Sequence, residues 1–186
     1  MTRCLHPGGL QLTQTLLDWA KLPPGARVLD LGCGDGQTVR FLQDLGFDAT
    51  GIDQQEPASE RIIQGDMCAL PFSDCSFDAV VAECSFSACR DAERAMIEAR
   101  RVLKSQGHLL FSDVFFPKTD GAAAERLVAQ IEQAGFFILQ QADASPKAQE
   151  FFLRMIWETG KLPEEWQCIA GGRRAGYYLI YGRKNV

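Results

Sequence analysis

The stretch that most constrains the fold spans residues 28–36, which read Val-Leu-Asp-Leu-Gly-Cys-Gly-Asp-Gly. Its apolar residues predict a strand that is buried on both faces. Gly32, Gly34 and Gly36 then predict a tight turn that a ligand can approach closely, because glycine has no Cβ. A helical pattern begins at Gln37. Strand, glycine turn and helix in succession are typical of a parallel sheet that binds a nucleotide-like ligand at the carboxyl ends of its strands.

The charge beside this turn indicates which kind of ligand it suits. The glycine spacing is Gly-x-Gly-x-Gly, whereas dinucleotide-binding turns have Gly-x-Gly-x-x-Gly, and this difference disfavours a nicotinamide oxidoreductase. Asp30 and Asp35 place negative charge next to the turn, where it would repel a pyrophosphate. The two carboxylates suit a ligand with cationic parts, such as an ammonium group and a sulfonium.

Two later stretches supply further candidate ligand contacts. Asp53 ends the predicted strand 47–53, about 20 residues beyond the turn, where an acid can accept hydrogen bonds from two ribose hydroxyls. Residues 65–78 read Gly-Asp-Met-Cys-Ala-Leu-Pro-Phe-Ser-Asp-Cys-Ser-Phe-Asp. An adenine ring needs an acceptor for its amine and an apolar surface for its faces, and Asp66 and Met67 provide both. Asp66 is also a suitable helix N-cap, which is compatible with that role.

Two of these stretches, the glycine turn at residues 30–36 and residues 65–78, resemble motifs of one known family. The pattern Asp-x-Gly-x-Gly-x-Gly that begins at Asp30 is similar to motif I of the class I S-adenosylmethionine-dependent methyltransferases. Residues 65–78 resemble a pattern of the small-molecule members that act in ubiquinone and menaquinone biosynthesis. The resemblance covers roughly residues 26–115 and implies a Rossmann-like α/β fold with helices on both faces. Its seven-stranded sheet would be mainly parallel, with the last strand antiparallel between the fifth and the sixth.

The resemblance also implies a reaction, in which the sulfonium methyl of S-adenosyl-L-methionine is transferred to a nucleophile on a small molecule. It implies that Asp66 accepts a hydrogen bond from the adenine amine and that Met67 contacts the ring. Neither a catalytic base nor a metal site is assigned. The predicted cofactor-binding residues are Asp30, Gly32, Cys33, Gly34, Gly36, Asp53, Gln54, Asp66, Met67 and Glu83.

The part of the site that would bind the methyl acceptor is predicted in less detail than the cofactor-binding part. We expect residues 83–86 and Asp113 to wall it, because they stand at the carboxyl ends of the fourth and fifth predicted strands. Residues 145–170 form either a helix that packs on the sheet or a lid over the site. His6 lies either on a solvated arm or on a flap that faces the site. The pair Arg173-Arg174 is either solvated or a seat for a carboxylate or phosphate.

Length and composition bound the remaining possibilities. A chain of 186 residues predicts a single domain, which we divide into an arm and helix (1–25), a cofactor-binding core (26–116) and a substrate-side part (117–186). A net charge of −5 without a run of Lys and Arg argues against nucleic acid as a partner. No apolar run approaches the ~20 residues of a membrane helix. Seven cysteines, an odd number, predict a reduced, cytoplasmic protein.

Two alternative functions stay open at this point, and so does the oligomeric state. The first is a protein that binds S-adenosylmethionine without catalysis and serves as a sensor or partner subunit. The second is an arsenite methyltransferase, which would need three thiolates and has four candidates for them: Cys33, Cys68, Cys84 and Cys89.

Overall fold

The computed structural model describes residues 6–54, 60–115, 123–160 and 176–185, and these build one sheet between two layers of helices. The strands are β1 (Arg27–Leu31), β2 (Asp48–Asp53), β3 (Ile62–Gln64), β4 (Phe77–Glu83), β5 (Leu103–Phe115), β6 (Phe136–Asp143) and β7 (Gly176–Lys184). The helices are α1 (Leu10–Ala20), α2 (Gln37–Asp44), α3 (Ala92–Val102), α4 (Ala123–Gln133) and α5 (Ser145–Thr159). None of these helices is both long and apolar enough to cross a membrane.

The seven strands follow the order β3-β2-β1-β4-β5-β7-β6. Strands β1 to β5 pair in parallel, whereas β7 is antiparallel to both β5 and β6. This confirms the predicted Rossmann-like architecture, including the last strand between the fifth and sixth. The strand order reverses between β1 and β4, and such a switch point leaves a crevice at the carboxyl ends of the strands.

Alternate residues of the central strands point to opposite faces of the sheet. Val28 on β1 and Val81 on β4 belong to the apolar cluster that includes residues of α1, α2 and α5. Their neighbours Leu29 and Val80 belong to the cluster that includes residues of α3 and α4. All four side chains are fully buried. The continuous apolar pattern of β1 therefore has its physical cause in two cores, and helices cover both faces as predicted.

The boundary between α3 and β5 differs from the prediction. The apolar pattern of residues 90–103 and the glycine at position 107 favour a helix that reaches Leu103 and a turn at Gly107. The helix ends at Val102, and β5 begins at Leu103, which is fully buried and pairs with Phe77. A bulge follows in this ladder, and Gln106 adopts the left-handed conformation with φ of 59°. Because Leu103 is buried against the sheet, the strand begins at that residue, ahead of residues 104–107.

Candidate active site

A cavity of about 500 Å³ opens where β1, β2 and β4 end. Its position is the crevice that the strand order predicts. Of the predicted cofactor-binding residues, those that line it are Asp30, Gly32, Cys33, Gly34, Asp53, Gln54, Met67 and Glu83. Gly36 and Asp66 are the two that do not line it.

The glycine turn lines the cavity, and its three glycines have different structural roles. Gly32, Gly34 and Gly36 have φ of 70°, 51° and 77°, a region that side chains disfavour. A Cβ on Gly32 would lie 2.6 Å from the Cβ of Ser85, and one on Gly36 would lie 2.4 Å from Ile62 Cδ1. A Cβ on Gly34 would meet nothing within 4 Å. Gly32 and Gly36 are therefore needed for packing, whereas Gly34 leaves open space for a ligand.

Asp53 is tied directly to this turn. Its Oδ2 accepts a hydrogen bond from the backbone N–H of Gly34 at 2.8 Å. The backbone N–H of Gly32 donates to the carbonyl oxygen of Ile52 at 2.8 Å, which joins the same two segments. The turn and the end of β2 thus hold each other, and the Asp53 carboxylate lines the cavity at a fixed position.

Asp30 is a buried carboxyl group that lines the cavity and lacks a full set of partners. It is 3% exposed, and its Oδ2 has no hydrogen-bond partner among the described residues. Burial, and then the charge of Glu83, raise the pKa of Asp30 to about 8. A buried polar atom without a partner is costly, so this oxygen points to a cationic or hydrogen-bond-donating ligand.

Glu83 ends β4 and lies at the centre of a polar network. Its Oε2 accepts hydrogen bonds from the hydroxyls of Thr13 at 2.8 Å and Thr38 at 3.4 Å. The hydroxyl of Ser112 donates to Oε1 at 3.4 Å. His6 lies with Nε2 at 3.6 Å from Oε2, and its side chain is 11% exposed. The network connects α1, α2 and β5 to one carboxylate, and His6 lines the cavity as the flap interpretation predicts.

Asp113 holds the loop after β4 in place through hydrogen bonds to its backbone. One carboxylate oxygen of Asp113 accepts the backbone N–H groups of Phe86 and Ser87, both at 2.9 Å. Burial raises the pKa of Asp113 to about 6, although these hydrogen bonds act in the opposite direction. Asp113 is 2% exposed and does not line the cavity, so the prediction that it walls the acceptor side is wrong. It positions the loop instead.

Of the two residues predicted to contact adenine, Met67 and Asp66, only the first lines the cavity. Asp66 is exposed at the rim, where its Oδ1 accepts the backbone N–H of Cys68 at 2.8 Å. This bond closes a tight turn, and Asp66 is not a helix N-cap, because no helix lies in the described residues between β3 and β4. The role of Asp66 toward adenine stays a prediction.

The predicted acceptor wall is only partly present. Glu83, Cys84 and Ser85 line the cavity. Phe86 is buried against Phe111 instead. Helix α5 packs on the sheet through Phe151 and Phe152, and none of its residues lines the cavity. The rest of the segment 145–170 beyond Gly160, and the pair Arg173-Arg174, lie outside the described residues.

The candidate thiols do not form a three-thiolate site. In the described ranges, no group of three or more His, Cys, Asp or Glu side chains has a metal-binding arrangement. Cys68 and Cys89 meet at an Sγ–Sγ distance of 3.5 Å, while Cys84 contacts the hydroxyl of Tyr177 at 3.5 Å. The described part of the chain therefore does not support arsenite methylation.

Sequence reasoning missed two classes of residue at this site. Thr13 and Thr38 are buried donors to Glu83, and a threonine among the leucines of the apolar face of α1 is a signal that was available. Ser85 was assigned only to the acceptor wall. Its buried hydroxyl lines the cavity and has no hydrogen-bond partner among the described residues.

Comparison with known proteins agrees with this geometry. A family profile described as a methyltransferase domain matches residues 29–111. Over these residues the chain is similar to the class I S-adenosylmethionine-dependent methyltransferases. The match spans most of β1, the glycine turn, β2, β3, β4 and most of β5, and it contains most of the residues that line the cavity. S-adenosylmethionine is the cofactor of this family.

Individual relatives show how far the likeness extends. An uncharacterized methyltransferase of Bacillus subtilis, YodH, is 35% identical over 118 residues, which are 56% of this chain and 50% of that protein. A demethylmenaquinone methyltransferase of Renibacterium salmoninarum is 27% identical over 170 residues, 86% of this chain and 71% of that one. The crystal structure of the cyclase SpnF has a TM-score of 0.79 and 25% identity, covering all of this chain and 85% of its own.

Proposed function

We propose that this protein transfers the methyl group of S-adenosylmethionine to a small-molecule acceptor. The observation that carries the proposal is the cavity at the ends of β1, β2 and β4, in which Asp30 presents a buried oxygen without a hydrogen-bond partner among the described residues. Bound S-adenosylmethionine supplies an electrophilic methyl group on a positively charged sulfur. Its cationic parts and its ribose match the acidic groups that line the cavity.

Each of these groups has a role that follows from its position. Asp30 Oδ2 accepts a hydrogen bond from the ammonium group, because that oxygen is buried and lacks a partner among the described residues. Asp53 accepts hydrogen bonds from the ribose, since the Gly34 N–H fixes its carboxylate. Gly34 leaves room for the ligand to approach the backbone. Met67 offers an apolar surface to the adenine ring.

The residues after β4 face the acceptor. Glu83 is held by hydroxyl donors on α1, α2 and β5, so it is a fixed negative charge beside the cavity. Asp113 fixes the backbone of the loop that follows β4. In the same loop, the hydroxyl of Ser85 has no hydrogen-bond partner among the described residues. These groups orient the acceptor, and correct orientation is a large part of catalysis in a displacement of this kind.

The charge of the cavity favours a neutral or cationic acceptor over an anionic one. Besides Asp30, whose raised pKa leaves it largely protonated at neutral pH, the carboxyl side chains of Asp35, Asp53 and Glu83 line the cavity, and no Lys or Arg stands among its described lining residues. An anionic acceptor would be repelled at this short range. A neutral hydroquinone is a suitable probe, because one relative is named a demethylmenaquinone methyltransferase.

Calorimetric titration with S-adenosylmethionine and with S-adenosylhomocysteine tests the cofactor site. We expect both to bind the wild type, and the Asp53→Ala variant to lose binding while it keeps its circular dichroism spectrum. Asp44→Ala is the matched control, because Asp44 is an exposed carboxylate at the end of α2 that does not line the cavity. Unchanged affinity in Asp53→Ala would contradict the ribose role.

Product analysis then tests the transfer itself. The protein is incubated with S-adenosylmethionine and, in turn, a hydroquinone, a secondary amine and a dicarboxylic acid monoester. We expect formation of S-adenosylhomocysteine and a 14 Da mass gain (one CH₂, by the chemistry of methylation) in neutral or amine probes, about tenfold faster than in the carboxylate, a ratio worth about 1.4 kcal/mol. Cofactor binding without any methylated product across a wide acceptor panel would favour a binding protein instead. A carboxylate as the best acceptor would contradict the charge argument.

A further inference from the structure

Two thiols to which the proposed function assigns no role lie against each other at the rim of the cavity. Cys68 follows β3 and Cys89 follows β4, and their sulfur atoms are 3.5 Å apart. Cys89 lines the cavity, whereas Cys68 is adjacent to Met67, which does. Both side chains are partly exposed. The contact therefore joins two segments that each contribute to the cavity wall.

Hydrogen-bonded turns hold both cysteines in place. The N–H of Cys68 donates to Asp66 Oδ1 at 2.8 Å, and the N–H of Cys89 donates to the carbonyl oxygen of Phe86 at 3.1 Å. Arg94 Nε donates to the carbonyl oxygen of Cys68 at 3.3 Å, which ties the first turn to α3. The sulfur contact is thus built on two fixed backbones.

We propose that Cys68 and Cys89 are a redox-active thiol pair, which a hydroperoxide converts into a disulfide that narrows the cavity and weakens cofactor binding. The sulfur atoms of a disulfide are about 2 Å apart, so the two turns must approach each other when the bond forms. Met67 and Cys89 then move relative to each other across the rim. The effect on cofactor binding rests on the proposed function, whereas the formation of the disulfide does not.

The reaction proceeds in two steps that balance. The Cys89 thiolate attacks one peroxide oxygen, the O–O bond breaks, and a proton from solvent completes the first water, which leaves a sulfenic acid on Cys89. The Cys68 sulfur then attacks the Cys89 sulfur, the S–O bond breaks, and the Cys68 proton leaves with the hydroxyl as a second water. Two thiols lose two electrons and one hydrogen peroxide gains them.

The order of the two cysteines follows from their surroundings. Cys89 lines the open cavity, where a small peroxide reaches it. Burial, Cys89 and Asp66 raise the pKa of Cys68 to about 12, so this thiol keeps its proton. Cys68 does not line the cavity, so peroxide meets Cys89 first and Cys68 is the thiol that attacks second.

Peptide mapping after treatment with hydrogen peroxide tests the disulfide. Four cysteines share one tryptic peptide, residues 62–90, so cleavage before aspartate and after glutamate is added to separate peptide 66–73 from peptide 84–90. We expect these two peptides to be cross-linked in the wild type and in Cys84→Ser, and separate in Cys89→Ser. Cys75, an exposed thiol, is the internal reference for oxidation. Alkylatable Cys68 and Cys89 in a sample whose Cys75 is oxidised would overturn the proposal.

Calorimetry with S-adenosylhomocysteine tests the consequence. We expect the oxidised wild type to bind at least about fivefold more weakly than the reduced protein, at the low end of typical coupling between sites, and dithiothreitol to restore the affinity. The Cys68→Ser/Cys89→Ser variant should bind equally well with and without peroxide treatment. Equal affinity of the cross-linked and reduced wild type would overturn the link to the cofactor. A reduced protein that binds no cofactor would count against the proposed function, and the peptide map would still decide the thiol pair.

Discussion

Thr13 on the first helix donates a 2.8 Å hydrogen bond to Glu83, which stands 70 residues later at the end of β4. Thr13 is fully buried, and Glu83 is 9% exposed. A buried carboxylate needs hydrogen-bond donors to offset the loss of hydration. This bond therefore ties α1 to the end of β4 and offsets part of the lost hydration of Glu83.

Replacing Thr13 by valine should destabilise the fold by about 1–3 kcal/mol, because it removes a donor from a buried charged group. The control is Thr15→Val in the same helix, where the hydroxyl donates to the carbonyl oxygen of Gln11 and the change in helix propensity is the same. Urea unfolding of both variants measures the difference. If Thr13→Val loses no more stability than Thr15→Val, the bond to Glu83 does not stabilise the fold.

Much of the fold was predictable, because its signals are local. The apolar run at Val28, the three glycines and the helical pattern from Gln37 lie within a few residues of one another, and they form β1, the turn and α2 as expected. Asp53 could be placed at the cavity because a strand end and a spacing of about 20 residues determine its position.

The contacts that were missed join residues far apart in the chain. No local pattern states that Asp113 accepts the N–H groups of Phe86 and Ser87, since the parallel pairing of β4 and β5 brings them together. Likewise, no local pattern states that Thr13 donates a hydrogen bond to Glu83. Helix α5 was ambiguous because an apolar helix face has the same pattern whether it covers a sheet or a ligand.

Replacing Gly34 by alanine should weaken cofactor binding beyond its effect on the fold. Gly34 has φ of 51°, and its Cβ would project into open space at the cavity. The matched control is Gly25→Ala, where φ is 73°, a Cβ again meets nothing within 4 Å, and the residue lies away from the cavity. Both should lose about 1–2 kcal/mol of stability from the left-handed conformation.

Calorimetry with S-adenosylhomocysteine separates the two glycines. Gly34→Ala should bind at least about tenfold more weakly than Gly25→Ala, which corresponds to about 1.4 kcal/mol. Equal affinities of the two variants would show that no ligand atom approaches Gly34.

Asp30 should make the protein less stable as the pH rises. Its pKa is raised from 3.8 to about 8 in the folded state, so between these values the folded protein binds more protons at Asp30 than the unfolded chain does. Stability then falls with rising pH across this window and levels off above it. Each unit of pKa difference is worth about 1.4 kcal/mol, so the fall should reach a few kcal/mol.

The variant Asp30→Asn isolates this contribution, because the carboxyl group of Asp113 also has a raised pKa and titrates with the same sign. The free energy of unfolding is measured by urea titration at several pH values for both proteins. The wild type should lose stability relative to Asp30→Asn as the pH rises from about 5 to 8. Parallel curves would mean that Asp30 is ionised throughout this range.

Cofactor binding should release a proton from Asp30 at neutral pH. The carboxyl group is largely protonated there in the empty cavity, since its pKa is about 8. An ammonium group beside Oδ2 favours the charged carboxylate and lowers that pKa. Binding of S-adenosylhomocysteine is therefore expected to expel the proton into the buffer, and the observed enthalpy should depend on the ionisation enthalpy of the buffer.

Titrations in phosphate and in Tris at the same pH measure the number of protons released. The wild type should release a large fraction of one proton, and Asp30→Asn should release less by about that amount, because the amide cannot ionise. The comparison between the two proteins removes any proton that the amino group of the ligand itself releases. Equal buffer dependence in both would show that Asp30 does not contact the ammonium group, and the unpartnered Oδ2 would then belong to the acceptor side of the cavity.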